Sequence, residues 1–347
     1  MENSEPSNSV QQARPDNAAE PRRHWLGLPL AAPVEGTMGE VLGALPHFGR
    51  QPFAMASVNG SEIGINPYLD MIYRVPFRQG ETPIPVGVVS KNYRLVDHHQ
   101  VLLTVQDALL DNGVKAAEVK VRGEWTSHGE RARFSVILPP QDRFRLAMAS
   151  DDEMRFRIEI FNSVEGSCRL MAVAGWLRFV CSNGMIVGTA LMRLKQQHRQ
   201  QLQVEELGRL LREAVLSTEA DRITFDEWIG QPIDESVVVD WIDRDVHERW
   251  GVKAAVRVLG IITGGTDVEP AGDLRNRNPS EVETKVAGRV PGVNGPARDL
   301  FDVGQVLAWT AGQRTDVAED LEWRSDVPLL VGKLAEQTSA ARRNTDG

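Results

Sequence analysis

Cysteine is scarce in this 347-residue chain: there are two, Cys168 and Cys181. That count excludes a disulfide-stapled scaffold and any CxxC redox or zinc pair. A structural bridge between them does not suit a reducing compartment, so both are expected to be buried free thiols. Long apolar runs are also missing. No stretch approaches the roughly 20 residues that cross a bilayer, and Met1–Glu20 has no signal-peptide core. The expectation is a cytoplasmic protein with no membrane partner.

Catalytic signatures are absent as well. There is no P-loop, no HExxH, no EF-hand loop and no nucleophile elbow. The glycines of Gly260–Gly265 follow a helical stretch and open into a loop, which is the wrong context for a dinucleotide fingerprint. Asp151, Asp152 and Glu153 come nearest to a nuclease carboxylate cluster, yet they fall between two hairpins and read as a solvated turn. The adjacent His98 and His99 point about 100° apart on a helix and cannot chelate as an i, i+4 pair does; both are expected on the surface. No catalytic, cofactor-binding or metal-binding residue is therefore assigned, and a non-enzyme is expected.

What is present is an ordinary globular composition, 41% hydrophobic and 25% charged, enough for one large domain or two modest ones. The net charge of −9 argues against a simple nucleic-acid coat protein, but its distribution is uneven. Residues 115–200 hold 14 Lys+Arg against 9 Asp+Glu, giving +5, whereas 1–114 carry −4 and 201–347 carry −10. A basic segment lies between acidic flanks.

That segment carries the organising pattern. Val119, Val121, Gly123 and Trp125 alternate with Lys120, Arg122 and Glu124. After a turn at Thr126–Gly129, Ala132, Phe134, Val136 and Leu138 alternate with Arg131, Arg133 and Ser135. This is a β-hairpin with one apolar and one charged face. A four-residue turn sets Arg122 opposite Arg133 and Glu124 opposite Arg131. A second hairpin repeats the plan: Met154, Phe156, Ile158 and Ile160 against Arg155, Arg157, Glu159 and Phe161, with a turn at Val164–Ser167 and a return strand through Val180. Pairing across that turn brings Trp176 near Arg155, on the arginine face. Like charges on one face repel and require an offset. Two offsets remain open: a bound polyanion whose bases stack on Trp176 and Phe161, or carboxylates such as Glu118, Glu124 and Glu159.

Around this centre, residues 1–24 are a polar tail expected to be disordered. Residues 25–200 form an α+β core, and 201–340 a helical C-terminal region with a long loop at 263–299 that includes Arg275, Arg277 and Arg289. Strands are predicted at Phe53–Val58, Tyr68–Phe77 and Ile84–Lys91. Asp97 N-caps a helix whose apolar side is Val101, Leu102, Val105, Leu109 and Leu110. A further helix from Thr189 to Ser217 begins with the basic residues Arg193 and Lys195. Trp228, Trp241 and Trp250 are expected in the helical core. The fold class is α+β: an antiparallel sheet of two hairpins packed on helices, followed by a mainly helical part.

Asn92-Tyr-Arg-Leu-Val96, Phe161-Asn-Ser163 and Trp176-Leu-Arg-Phe-Val-Cys-Ser-Asn183 resemble the phage- and plasmid-borne family known as domain of unknown function 932. Leu300–Trp309 is similar to that family's closing helix, with Asp302-Val-Gly304 where the family usually has Tyr-Asn-Ala. The resemblance covers about residues 40–335 and implies a mobile-element setting without an established activity. The order strand, helix, two hairpins and basic helix also resembles the core of single-strand annealing proteins, which form rings around single-stranded DNA. By that analogy a nucleic-acid groove would involve Arg131, Arg133, Arg155, Arg157, Arg178, Arg193 and Lys195. The pattern of the sheet face adds Lys120, Arg122, Phe161 and Trp176, and the turn Cys181–Met185, whose polar groups suit a backbone phosphate, adds Asn183. The first expectation is thus a mobile-element DNA-binding protein favouring single strands and forming a homo-oligomer or ring. The alternative is a non-catalytic protein-interaction factor, of anti-defence or conjugation-accessory type, whose acidic helical half meets a basic partner.

Overall fold

The computed structural model describes residues 24–56, 63–147, 153–178, 194–196, 204–290 and 295–345. In chain order the elements are β1 (His24–Trp25), β2 (Leu28–Pro29), β3 (Val34–Gly36), α1 (Met38–Ala44), β4 (Phe48–Ala56), β5 (Ile63–Arg74), β6 (Ile84–Ser90) and α2 (His98–Asp111). Next come β7 (Lys120–Trp125), β8 (Arg131–Ile137), β9 (Arg145–Ala147), β10 (Glu153–Ser163), β11 (Leu170–Arg178) and β12 (Leu194–Gln196). The helical part holds α3 (Val204–Leu216), α4 (Thr218–Trp228), α5 (Glu235–Trp241) and α6 (His247–Gly264). It continues through β13 (Thr266–Pro270), β14 (Thr284–Arg289), α7 (Leu300–Gly312) and α8 (Val317–Thr345). The protein is α+β, and none of its described helices is long and apolar enough to cross a membrane.

The main antiparallel sheet runs β12-β11-β10-β8-β7-β3, with β9 extending the line of β8 against β10. Its two central hairpins are the predicted ones. The apolar rows Val121, Phe134, Val136, Phe156, Ile158 and Ile160 are all buried, and they join one core cluster that takes in α2, α3, α6, α7 and α8. That cluster crosses residue 200 without interruption: Trp176 of the sheet stacks edge-on with Phe225 of α4. Trp228, Trp241 and Trp250 lie in it as expected.

Local chemistry sets the element ends. Asp97 accepts a hydrogen bond from the His99 N–H and caps α2. Its buried side is Val101, Leu102, Val105 and Leu109, while Leu110, expected on that side, is 59% exposed. Helix α6 kinks at Gly251, which has φ 78°, a conformation glycine adopts without Cβ strain. The 263–299 stretch, expected to be a loop, instead contains the β13–β14 hairpin beside α6, whose Gly260 leaves room for Val268. Residues 194–196, expected to begin a basic helix, are strand β12, with Lys195 paired to Met171. The basic-helix part of the annealing likeness does not hold there.

Candidate functional site

Register decides which side chains share a face. In the first hairpin the four-residue loop sits one residue later than expected, at 127–130: the Thr126 N–H donates to the Arg131 carbonyl, so Arg122 faces Ser135 and Glu124 faces Arg133. A shift of two leaves the faces intact. In the second hairpin the slip is a single residue, Arg157 facing Gly175 and Phe156 facing Trp176. One residue of slip moves a side chain to the other face. Trp176 therefore sits in the core against Phe156 and Phe225, its indole N–H donating to Asp221, and not among the arginines. Phe161 stays on the arginine face but is fully buried against Trp25. Neither aromatic is open to a base.

The offset for the arginines is carboxylate, and it comes partly from a distant helix. Arg133 is 5% exposed and donates from Nε to Glu159 at 2.8 Å and from Nη1 to Asp320 of α8 at 3.4 Å, with its guanidinium 5.4 Å from the Phe161 ring. Glu159 also accepts from Ser135 at 2.6 Å and pairs with Arg157. Asp320 pairs with Arg324 one turn along α8. Arg131 pairs with Glu165 at 2.6 Å and donates to the Trp25 carbonyl, and Arg122 bridges Glu124 and Glu35. Burial, and then the neighbouring guanidiniums of Arg133 and Arg324, pull Arg157 well below the usual arginine value. Nothing in the local sequence pattern of residues 115–200 announced Asp320 and Arg324; an i, i+4 ion pair beside buried Leu321 and Val327 was the available signal.

Over this network lies a cleft of about 1010 Å³, walled by β3 and the start of α1, by β7, and by the corner between α7 and α8. Its cations are Lys120, Arg122, Arg133, Arg157, Arg314 and Arg324; Glu35, Glu40, Glu118 and Glu124 stand among them. Four expected site residues meet here: Lys120, Arg122, Arg133 and Arg157. Arg131 lies apart with Glu165, and Arg155 is half-buried. Arg178 and Lys195 are placed in strands β11 and β12, and Asn183 and Arg193 lie outside the described residues, as does Cys181. Cys168 is a half-buried free thiol whose surroundings push it up to about 12.

Two stretches singled out in the sequence prove to touch. From Phe161-Asn-Ser163, the Asn162 amide donates to the Val96 carbonyl at 2.9 Å and lies 3.0 Å from His98 Nδ1. The Ser163 carbonyl accepts from the Tyr93 hydroxyl at 3.1 Å. His98, expected on the surface, is fully buried, with Nε2 donating to the Gly129 carbonyl at 2.8 Å; the Asn162 contact leaves Nδ1 as the acceptor. Arg50 of β4 pairs with Asp70 and donates to the Tyr93 and Lys91 carbonyls. The resemblance residues are thus a buried clasp between β10 and the entry to α2.

The separate sheet β4-β5-β6 leaves several large apolar side chains uncovered. Between the pairs Pro52↔Asp70 and Ala54↔Ile65, β5 carries extra residues, closed by Asn66 Oδ1 accepting from the Tyr68 and Leu69 N–H groups. Such bulges re-aim side chains. Tyr68 is 77% exposed, and Met55 and Ile65 at the hairpin end are 71% and 62% exposed.

No curated protein and no solved structure matches the chain. A family model does, over residues 85–258, just over half of the chain. It spans the clasp, both hairpins and the helices through most of α6, and by it this chain belongs to the family described as domain of unknown function (DUF932).

Proposed function

We propose that this protein is a non-catalytic interaction factor of a mobile element, docking a protein partner through the exposed side chains of the β4-β5-β6 sheet. The observation that carries the reading is the bulge that presents Tyr68 beside an end of sheet bearing Met55 and Ile65. Apolar groups displayed on a built element mark docking surfaces, and tyrosine is a favoured anchor. The acidic half of the chain, −10 over residues 201–347, favours a basic partner. Cross-linking in the host cell tests it. Cross-links from β4 and β5 to one basic protein are expected, and Tyr68→Ala combined with Met55→Ser removes them at unchanged Tm. Persistence of those cross-links in the double variant sinks the reading, and a cross-link to a second copy of this chain redirects it to self-association.

A second reading, single-strand DNA binding, is favoured by the position of Lys120 and Arg122 on the open side of the cleft, where Arg122 keeps 45% of its side chain exposed. Their contribution would be phosphate contact, without stacking on Trp176 or Phe161. Fluorescence anisotropy with a labelled single-stranded oligonucleotide tests it. Binding that weakens steeply with salt and is lost in Lys120→Glu/Arg122→Glu supports it; no binding at low salt removes it.

A further inference from the structure

We infer that His47, Asp97 and His99 form a binding site for one divalent transition-metal ion of the zinc class, a site independent of both the cleft and the Tyr68 surface. The residues come from two elements: His47 stands just before β4, while Asp97 and His99 begin α2. Each offers one ligand atom, and the three atoms lie within 4.8 Å of one another. His99 Nδ1 is 3.1 Å from one oxygen of Asp97, and His47 Nδ1 is 3.9 Å from the other. Ligands about 2.1 Å from a tetrahedral zinc ion stand roughly 3.4 Å apart, so these gaps bracket the required spacing. The two imidazoles are stacked, centroids 3.9 Å apart and 10° from parallel, which keeps both rings beside Asp97. Binding one ion requires them to tilt out of the stack about their side-chain bonds so that their in-plane lone pairs converge.

The ligands ride on anchored backbone. The His47 carbonyl accepts from the Val75 N–H at 2.8 Å, and Phe48 packs edge-on to His98. His98 is locked between Asn162 and Gly129, which fixes the first turn of α2 and with it Asp97 and His99. The adjacent histidines thus divide the work: His98 faces inward as a structural group, and His99 faces the site. Side-chain exposures of 65% for His47 and 22% for His99 leave an ion free entry.

Donor chemistry selects the ion. Two imidazoles with one carboxylate suit Zn²⁺, Co²⁺ or Ni²⁺, whereas Mg²⁺ and Ca²⁺ require oxygen-rich shells. The positive end of α2 disfavours a cation, and the Asp97 carboxylate offsets it. Three protein ligands leave a position for water or an anionic group.

The test is titration of tag-free, full-length protein with Co²⁺ followed by visible absorption, and with Zn²⁺ by calorimetry. One ion per chain is expected, with Zn²⁺ displacing Co²⁺ and Mg²⁺ failing to compete. His47→Ala and His99→Ala each should weaken binding by at least the about 10-fold that loss of even a supporting contact costs. Asp97→Asn retains a good helix cap while removing the charged ligand, so it should weaken binding with the helix signal in circular dichroism unchanged. Absence of stoichiometric binding to the wild-type protein overturns the site, as does undiminished binding in both histidine variants.

Discussion

Arg133 lies beneath α8 with Glu159, Asp320 and Glu124 within salt-bridge range, and its burial is tolerable because those carboxylates are there. Removing one partner of a buried network strands the others. Arg133→Ala should cost about 3–5 kcal/mol in urea unfolding, and a charge reversal at Arg133 and Arg157 is expected to unfold the protein rather than expose a binding defect. A cost below about 1 kcal/mol would show that Glu159 and Asp320 are solvated. Cys168 gives a pH-dependent counterpart. Burial first, and Glu165 next to it, raise the thiol from an ordinary 9.0 to about 12, against the hydrogen bond from Ser163. The folded state keeps this proton to higher pH than the unfolded chain does. Its contribution to stability is intact below about 9 and is lost as pH rises toward about 12. Thiol-disulfide reagents at pH 8 should react slowly with native Cys168 and quickly in denaturant.

At the scale of elements, alternation made both hairpins and their apolar faces legible, because period-two patterning is a property of consecutive residues. The register of the second hairpin was not legible. Its turn closes as expected, with Ser163 Oγ donating to the Cys168 carbonyl, but the ladder then pairs Phe161 with Met171, so the return strand takes up one extra residue at Cys168–Arg169. No local preference signals such a slip, and it sends Trp176 to the core. The pairing of the sheet arginines with a carboxylate on α8 was equally invisible, since a partner more than 150 residues away leaves no trace in a local window. The clasp was visible as two unexplained motifs and became interpretable on seeing them meet. Asn162→Ala strips the Val96 carbonyl and His98 Nδ1 of a donor in a fully buried setting. A loss of about 1–3 kcal/mol is expected by urea unfolding, together with faster amide exchange in the first turn of α2. Unchanged exchange there would detach the clasp from the helix entry.

For the whole molecule, the question is whether residues 25–200 and the helical remainder are separable. The sheet cannot satisfy itself on either face. On one, Trp176 packs on Phe225 and donates to Asp221, both from α4; on the other, Arg133 needs Asp320, and Phe161 and Val173 are covered by Val317 and Leu321 of α8. A fragment ending at residue 200 would expose two apolar surfaces and leave a buried arginine short of a carboxylate. We therefore expect the full chain to unfold in a single cooperative transition, followed by tryptophan fluorescence and circular dichroism together. The fragment should bind a hydrophobic dye and lack a near-ultraviolet signal, because loss of fixed packing exposes apolar surface. A fragment that is monomeric, dye-free and cooperatively folded would show that the helices are an appendage to the sheet, and the neutralisation of its arginine face would then have to be sought within residues 25–200.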